Sequence, residues 1–272
     1  MLATARTLGA ARIVSEAGAV PLHTDAANIG AWDREAADAE AVFHLALPRL
    51  DPPLRRGAAR RRGRPAAAAA TAVAELAGDR PLVMLSSAFL YGARRDPATD
   101  DDPAAGRPPA LAAAAAAAER ALAPASPRVV RVPWVHGPGG VARDLIVGLR
   151  VRRHRIVGPG DNLWSMLGAD DAAAALLAAL DAPPGVYSAA EPDIPTQSQV
   201  VEAICSVPGH RRPDHVPPTL AALSMGGAMS EAIGMSLAIR TGRLADMGWS
   251  PRDDWRTAIT RLAEGPLPLP RG

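Results

Sequence analysis

The apolar positions of this chain fall into short continuous runs and into longer alanine-rich stretches, and the two kinds of segment alternate. Short apolar runs predict buried strands of a parallel sheet, and they occur at 18–25, 40–47, 80–87, 128–135 and 185–191. Apolar residues at helical spacing predict helices, and they occur at 54–78, 108–122, 141–153, 168–183, 196–207 and 244–264. The alternation predicts an α/β fold with a doubly wound parallel sheet.

The strands become rarer toward the C-terminus, which indicates how the chain is divided. Residues 1–160 are predicted to form most of the α/β core. Residues 161–272 are predicted to supply the remaining core strand and helices, together with a small, mostly helical lobe. A short helix is predicted at 33–39, and the Pro-, Asp- and Gly-rich segment 93–109 is predicted to be a loop.

Composition excludes several functional classes. Of the 272 residues 48% are hydrophobic, yet no uncharged apolar run reaches about 18 residues, so no membrane association is expected. A formal net charge of +2 is too small to indicate a nucleic-acid-binding protein. Cys205 is the single cysteine and cannot form an internal disulfide, which favours a reducing, cytoplasmic location. The histidines lack metal-ligand spacing, so no metal is expected.

The chain contains no lysine, so all 30 basic residues are arginine. Any mechanism that needs a lysine ammonium is therefore excluded, because arginine does not release its proton. A mechanism that needs a phenol has two candidates, Tyr91 and Tyr187. Six arginines lie within residues 55–64, and such a run either holds phosphates or forms a solvated helix face.

Five segments, in this order, resemble the extended short-chain dehydrogenase/reductases, which are the NAD-dependent epimerase/dehydratase family. They are VFHLA, LSSAFLYG, RVPWVHGPGG, NLWSMLGADDAAAALLAAL and MGWSPRDDWRTAI. The third resembles the signature R-P-x-x-V-Y-G-P-G, with His136 where tyrosine is usual. The resemblance implies a Rossmann-like core, and it runs over nearly the whole chain.

The resemblance also locates the catalytic positions of the family. Ser87 falls on the position of its catalytic serine or threonine. The family's next helix carries Tyr-x-x-x-Lys, in which the lysine lowers the pKa of the catalytic tyrosine. Ala118-Glu119 sets the register, so that Leu111 occupies the tyrosine position and Ala115 the lysine position. Neither side chain can transfer a proton, and Tyr91 matches a structural position.

The resemblance implies NAD(P) as cofactor, but no cofactor is expected for the chain as it stands. Met1 corresponds to the end of the family's second strand, so a strand-helix-strand arm on the order of 30–40 residues, with its glycine-rich phosphate loop, is expected to be absent. Weak residual cofactor contacts are expected at Asp25, His44, Ala46, Ser86 and Pro133, and substrate contacts at Trp164 and Asp170.

Loss of that arm would separate 18–25 from the sheet and would expose the apolar strand 40–47 as an edge. Three outcomes are then expected as alternatives: the strand re-pairs locally, a homodimer contact or another partner covers the edge, or the natural protein starts upstream of Met1.

Three functional hypotheses follow. The chain is a degenerate, N-terminally truncated member of the family that binds a small molecule in the cleft without hydride transfer, as a pseudoenzyme would. Alternatively it is an enzyme with other chemistry, in which Ser87 and His136 end adjacent strands and His136 acts as acid or base. In the third, it is a nucleotide-binding member whose start lies upstream.

Overall fold

The fold was analysed in a computed structural model, which describes residues 1–24, 36–48 and 52–266. The predicted helix at 33–39 lies partly outside these ranges, and Asp25 lies wholly outside them. The strands are β1 (Leu2–Thr4), β2 (Val20–Leu22), β3 (Val42–His44), β4 (Leu82–Ser87), β5 (Arg94–Ala98), β6 (Arg128–Val132), β7 (Trp134–His136), β8 (Ile156–Val157), β9 (Met166–Gly168), β10 (Gly185–Ser188), β11 (His215–Val216) and β12 (Leu237–Ile239).

The helices surround these strands. They are α1 (Leu8–Glu16), α2 (Arg56–Arg61), α3 (Gly63–Ala77), α4 (Ala113–Leu122), α5 (Gly140–Arg150), α6 (Ala169–Leu180), α7 (Gln197–Cys205), α8 (Pro218–Met225), α9 (Gly227–Gly234), α10 (Arg243–Asp246) and α11 (Trp255–Glu264). None of the helices in the described ranges is long and apolar enough to cross a membrane.

The central sheet has four parallel strands in the order β10-β6-β4-β3. Successive side chains of a strand point to opposite faces, so each face buries its own set of residues. Leu82 and Met84 pack with α3 and α4, whereas Val83 packs with α6. The result is the predicted α/β fold with helices on both faces of a parallel sheet.

The strands β1 and β2 form a separate parallel pair, as the sequence predicts for residues 18–25. Strand β3 is the terminal strand of the central sheet within the described ranges. Phe43 is half-buried and Leu45, directly after the strand, is 52% exposed. The expectation of an apolar edge strand is therefore confirmed.

Helices α3 and α4 pack closely because both are built largely from alanine. At Gly63 the two helices are in contact, since a Cβ atom there would lie 3.4 Å from the Ala113 carbonyl oxygen and 3.4 Å from the Ala117 Cβ. Ala70 and Ala118 are buried between the two helices and the sheet. Alanine at 108–122 thus allows a helix to lie near its neighbour with little side-chain volume between them.

The C-terminal lobe contacts the core directly through the segment before α2. Leu54 donates its N–H to the Met225 carbonyl, and its own carbonyl accepts from the Ala228 N–H. Arg56 forms an ion pair with Glu231 at 2.9 Å. These contacts join α2 to α8 and α9 and bring the lobe over the α2 side of the core.

Several elements differ from the sequence predictions. Residues 161–272, predicted to hold one core strand, contain β9, β10, β11 and β12. The predicted helical segments 54–78 and 244–264 are each divided into two helices.

The predicted loop 93–109 contains β5, which pairs with the distant strand β12. The predicted strand 128–135 is divided by Pro133 into β6, which belongs to the central sheet, and β7, which pairs with β9. Proline has no N–H to donate, so the hydrogen-bond ladder breaks there.

Candidate functional site

Ser87 ends strand β4 at the carboxyl edge of the central sheet, where α/β folds place their sites. It is half-buried, and its Oγ accepts a hydrogen bond from the Phe89 N–H at 3.3 Å, which caps the 3₁₀ turn 88–91. The preceding Ser86 is fully buried and donates to Glu119 Oε1 at 2.5 Å. Of the two serines, Ser87 therefore retains exposed surface for a ligand.

The turn 110–112 and the inner face of α4 carry Leu111 and Ala115, the two positions that the resemblance assigns to the family's tyrosine and lysine. Leu111 lies in the 3₁₀ turn 110–112, which contacts the turn after Ser87, and it packs against the main hydrophobic core. Ala115 is 3% exposed in the same core. Apolar side chains at both positions offer neither a proton nor a hydrogen bond to a nicotinamide ribose, so these positions do not fit that part of NAD(P).

A polar network lies beneath this surface. Arg131 projects from the middle of β6 and makes a bidentate ion pair with Glu119, at 3.0 Å from Nε to Oε1 and 2.7 Å from Nη2 to Oε2. The guanidinium also lies over the Tyr91 ring, 4.8 Å from its centroid. The Tyr91 hydroxyl shares a 2.8 Å hydrogen bond with Ser188 Oγ.

The protonation of Tyr91 follows from this environment. Burial raises the pKa of the Tyr91 phenol, and the hydrogen bond to Ser188 and the charge of Arg131 offset that effect only partly. A catalytic tyrosine needs the opposite shift. Tyr91 therefore belongs to the structural network, in agreement with its predicted role.

Asp100 extends the network to the C-terminal lobe. Its Oδ1 accepts from the Ser188 N–H at 2.5 Å, and its Oδ2 accepts from the Arg243 N–H at 2.6 Å. The chain of contacts therefore runs from α4 through β6 and β10 to α10. Its side chains have protein partners throughout, which fixes this edge of the sheet.

His136 ends β7, and the hypothesis that it ends a strand adjacent to that of Ser87 is wrong. Strand β4 pairs with β6, whereas β7 pairs with β9, because the chain leaves the central sheet at Pro133. His136 Nε2 lies 2.5 Å from Glu191 Oε1, and both side chains are 2% exposed. Glu191 Oε2 also accepts the Trp255 N–H at 2.6 Å.

The two predicted substrate residues are placed differently. Trp164 is 4% exposed, donates its indole N–H to the Ile233 carbonyl at 3.0 Å and lies 5.4 Å from the Trp134 ring. Asp170 is exposed in the first turn of α6. The adjacent Asp171 is buried and accepts the N–H groups of residues 252 and 253 at 3.0 Å.

Three of the predicted cofactor positions, His44, Ser86 and Pro133, lie at the carboxyl ends of the neighbouring strands β3, β4 and β6, and all three are buried. His44 is buried at the end of β3, and burial lowers the pKa of its imidazole. Ala46 is exposed, whereas Pro133 is buried.

A metal site would need several ligating side chains close together. Nowhere in residues 1–24, 36–48 and 52–266 do three His, Cys, Asp or Glu side chains come together in a way that could hold an ion. The expectation that the protein binds no metal stays a prediction.

Sequence reasoning did not identify several buried polar residues near this edge. Arg131 and Glu191 carried a signal, because a charged residue inside or directly after an apolar strand needs a partner. Asp100 carried none, since it stands among the acidic residues of a predicted loop and finds its partners, Ser188 and Arg243, 88 and 143 positions away.

Comparison with solved structures shows the fold independently. The UDP-glucose 4-epimerase of Thermotoga maritima, solved with UDP-glucose, superimposes with a TM-score of 0.76 at 16% sequence identity, over 97% of this chain and 89% of that one. The Thermus thermophilus UDP-glucose 4-epimerase, solved with NAD, gives 0.74 at 17% identity, over 97% and 89%. A human epimerase family protein with NADPH gives 0.72 at 18%, over 96% and 90%.

No protein-family profile matches this chain. No curated protein sequence matches it either. The chain has the Rossmann-like α/β fold of the NAD-dependent epimerases and dehydratases, and at these identities the similarity establishes the fold.

Proposed function

We propose that this protein is a member of the extended short-chain dehydrogenase/reductase family that performs no Tyr-Lys chemistry and has a small-molecule-binding role. The observation that carries the proposal is the pair Leu111 and Ala115, which replace the acid/base and its partner with apolar, largely buried side chains. The absence of lysine from the sequence excludes a substitute elsewhere in the chain.

The surrounding polar groups support the same proposal. Tyr91 has its pKa raised by burial, so it is unsuited to release a proton near neutral pH. Ser86 and Arg131 are committed to Glu119. The groups that could otherwise move a proton or hold an oxyanion at this edge are therefore engaged with protein partners.

An alternative chemistry built on Ser87 and His136 is disfavoured by the same geometry. The His136 ring is enclosed and bound to Glu191, and it stands on a strand of a different sheet from Ser87. A general base must reach the proton that it removes. Ser87 and Asp170, which retain exposed surface, are the sequence-predicted residues best placed to contact a ligand.

The proposal that the chain performs no Tyr-Lys chemistry is tested with UDP-glucose, with which a similar epimerase was solved. The chain is incubated with UDP-glucose and NAD⁺, and the 4-epimer is sought by NMR, with an active UDP-glucose 4-epimerase as positive control. We expect no turnover of UDP-glucose, while a thermal-shift screen of nucleotide sugars reveals a stabilising ligand whose effect weakens in Ser87→Trp. Turnover that survives repurification and disappears in Ser87→Ala would overturn the proposal.

A further inference from the structure

A second concave surface lies on the opposite side of α4 from Leu111 and Ala115. It encloses about 790 Å³ between α2 and α3 on one side and α4 with the segment before it on the other. Four arginines line it, together with glycine, alanine and proline residues, and we call it the arginine groove. It consists of Arg60, Gly63, Arg64, Ala67, Gly106, Arg107, Pro108, Pro109, Ala110, Ala113, Ala116, Ala117 and Arg120.

The floor is built from small residues. Gly63 lies against α4, because a Cβ atom there would be in van der Waals contact, 3.4 Å from the Ala113 carbonyl oxygen and from the Ala117 Cβ. Alanine and proline side chains on the floor supply no hydrogen-bond donor, no acceptor and no aromatic ring. Recognition in the groove therefore depends on the arginines.

The four arginines of the groove are all exposed, and they make no ion pair within the part of the chain that the structure describes. Other arginines of the protein do have carboxylate partners, among them Arg56, Arg94 and Arg243. None of the residues that line the groove is acidic. Four positive charges thus surround one concavity, in a chain whose formal net charge is only +2.

Like charges around a shared surface repel one another unless an anion neutralises them. Guanidinium groups present paired N–H donors that match the oxygens of a phosphate. The volume falls within the range of small-molecule sites, and the lack of an aromatic platform argues against stacking of nucleic-acid bases.

We propose that the arginine groove binds a small anion that carries two or more phosphate groups. The position of the groove makes this site distinct from the carboxyl edge at Ser87, since α4 separates the two. Two sources share this chemistry, a free polyphosphate compound and the phosphorylated headgroup of a lipid.

Calorimetric titration of inorganic triphosphate into the full chain tests the proposal. We expect saturable binding near one equivalent at low salt, with an affinity that falls as salt rises. In the double variant Arg64→Gln/Arg120→Gln the affinity should fall by at least about tenfold, because two charge-assisted contacts are lost.

The matched control is Arg211→Gln/Arg261→Gln. It removes the same charge from two exposed arginines outside the groove, and its affinity should stay within about twofold of the parent. Equal losses in the two double variants would show that only net charge matters, and absence of saturable binding at low salt would also overturn the proposal. Circular dichroism confirms that each variant is folded.

Vesicles distinguish the two sources of phosphate. Flotation is run with vesicles that contain a phosphatidylinositol bisphosphate and with vesicles of phosphatidylcholine alone. We expect free triphosphate to bind and to displace any bisphosphate-vesicle binding. Binding to the vesicles that free triphosphate does not displace would contradict a small-molecule site.

Discussion

Helix α4 separates two regions that contrast in the state of their charged groups. On the inner side, the buried Arg131 is paired with the half-buried Glu119, and Leu111 and Ala115 stand at the positions that the resemblance assigns to the family's tyrosine and lysine. On the outer side, Arg64 and Arg120 border an open groove without carboxylate partners. The charged groups of the inner side are thus paired within the fold, whereas those of the outer side have no protein partner among the described residues.

The largest expected effect concerns the inner network. Arg131→Met leaves the Glu119 carboxylate buried without its partner, and the free energy of unfolding should fall by about 3–5 kcal/mol. Denaturant titration measures the change. The double variant Arg131→Met/Glu119→Leu removes both charges and should recover at least half of the loss; a single variant as stable as the parent would show that the network is not structural.

The next effect compares the two sides of α4 directly. Ala115→Lys places a charged side chain in the packed core and should cost about 2–4 kcal/mol. Ala113→Lys, two residues earlier in the same helix, adds the same group to the lining of the arginine groove, where it can reach solvent, and should cost less than about 1 kcal/mol. Equal costs in thermal or denaturant unfolding would remove the distinction between the faces.

The ionisation of Tyr91 provides a further test of the inner network. Burial raises the pKa of Tyr91 above its ordinary value, so the folded state holds this proton at pH values where the unfolded state has lost it. The associated stability is present below the ordinary tyrosine pKa and is lost as pH rises through the folded pKa.

Spectrophotometric titration of the parent and of Tyr91→Phe isolates this phenol from Tyr187, the other tyrosine of the chain. The difference between the two curves should lie on the alkaline side of a free tyrosine. A difference on the acid side would mean an activated phenol, and the assignment of Tyr91 to the structural network would fail.

The smallest effect belongs to the outer side. Arg64→Gln/Arg120→Gln removes two unpaired charges from a repulsive cluster and should leave the free energy of unfolding unchanged or raise it by about 0.5 kcal/mol at low salt. A clear destabilisation in denaturant titration would mean that these arginines support the fold.

The sequence was sufficient for the parts of the structure that depend on local pattern. The strand 80–87 and the alanine helix were predicted, because apolar periodicity determines them. The separation of 18–25 from the central sheet followed from the strand order that the family resemblance implies. The pairing of β5 with β12 was missed, since no local signal links residues so far apart. Pro133 did carry a signal for the break between β6 and β7.

For the candidate site, the sequence predicted where some residues stand along the chain, but not how their side chains are buried and paired. Sequence placed Ser87 at the end of a strand, but the burial of His136 and its bond to Glu191 depend on how the second strand pair and α11 pack. The network through Asp100 likewise joins residues whose proximity exists only in the folded chain.

The most direct test of the central claim is calorimetric titration of NAD⁺ and NADPH into Arg64→Gln/Arg120→Gln, in which phosphate binding to the outer groove is suppressed. The account predicts no saturable heat at millimolar cofactor, because Leu111 and Ala115 give the nicotinamide ribose no hydrogen-bonding partner. Saturable binding that Ser87→Trp abolishes would contradict it and would make the inner face of α4 part of a working cofactor site.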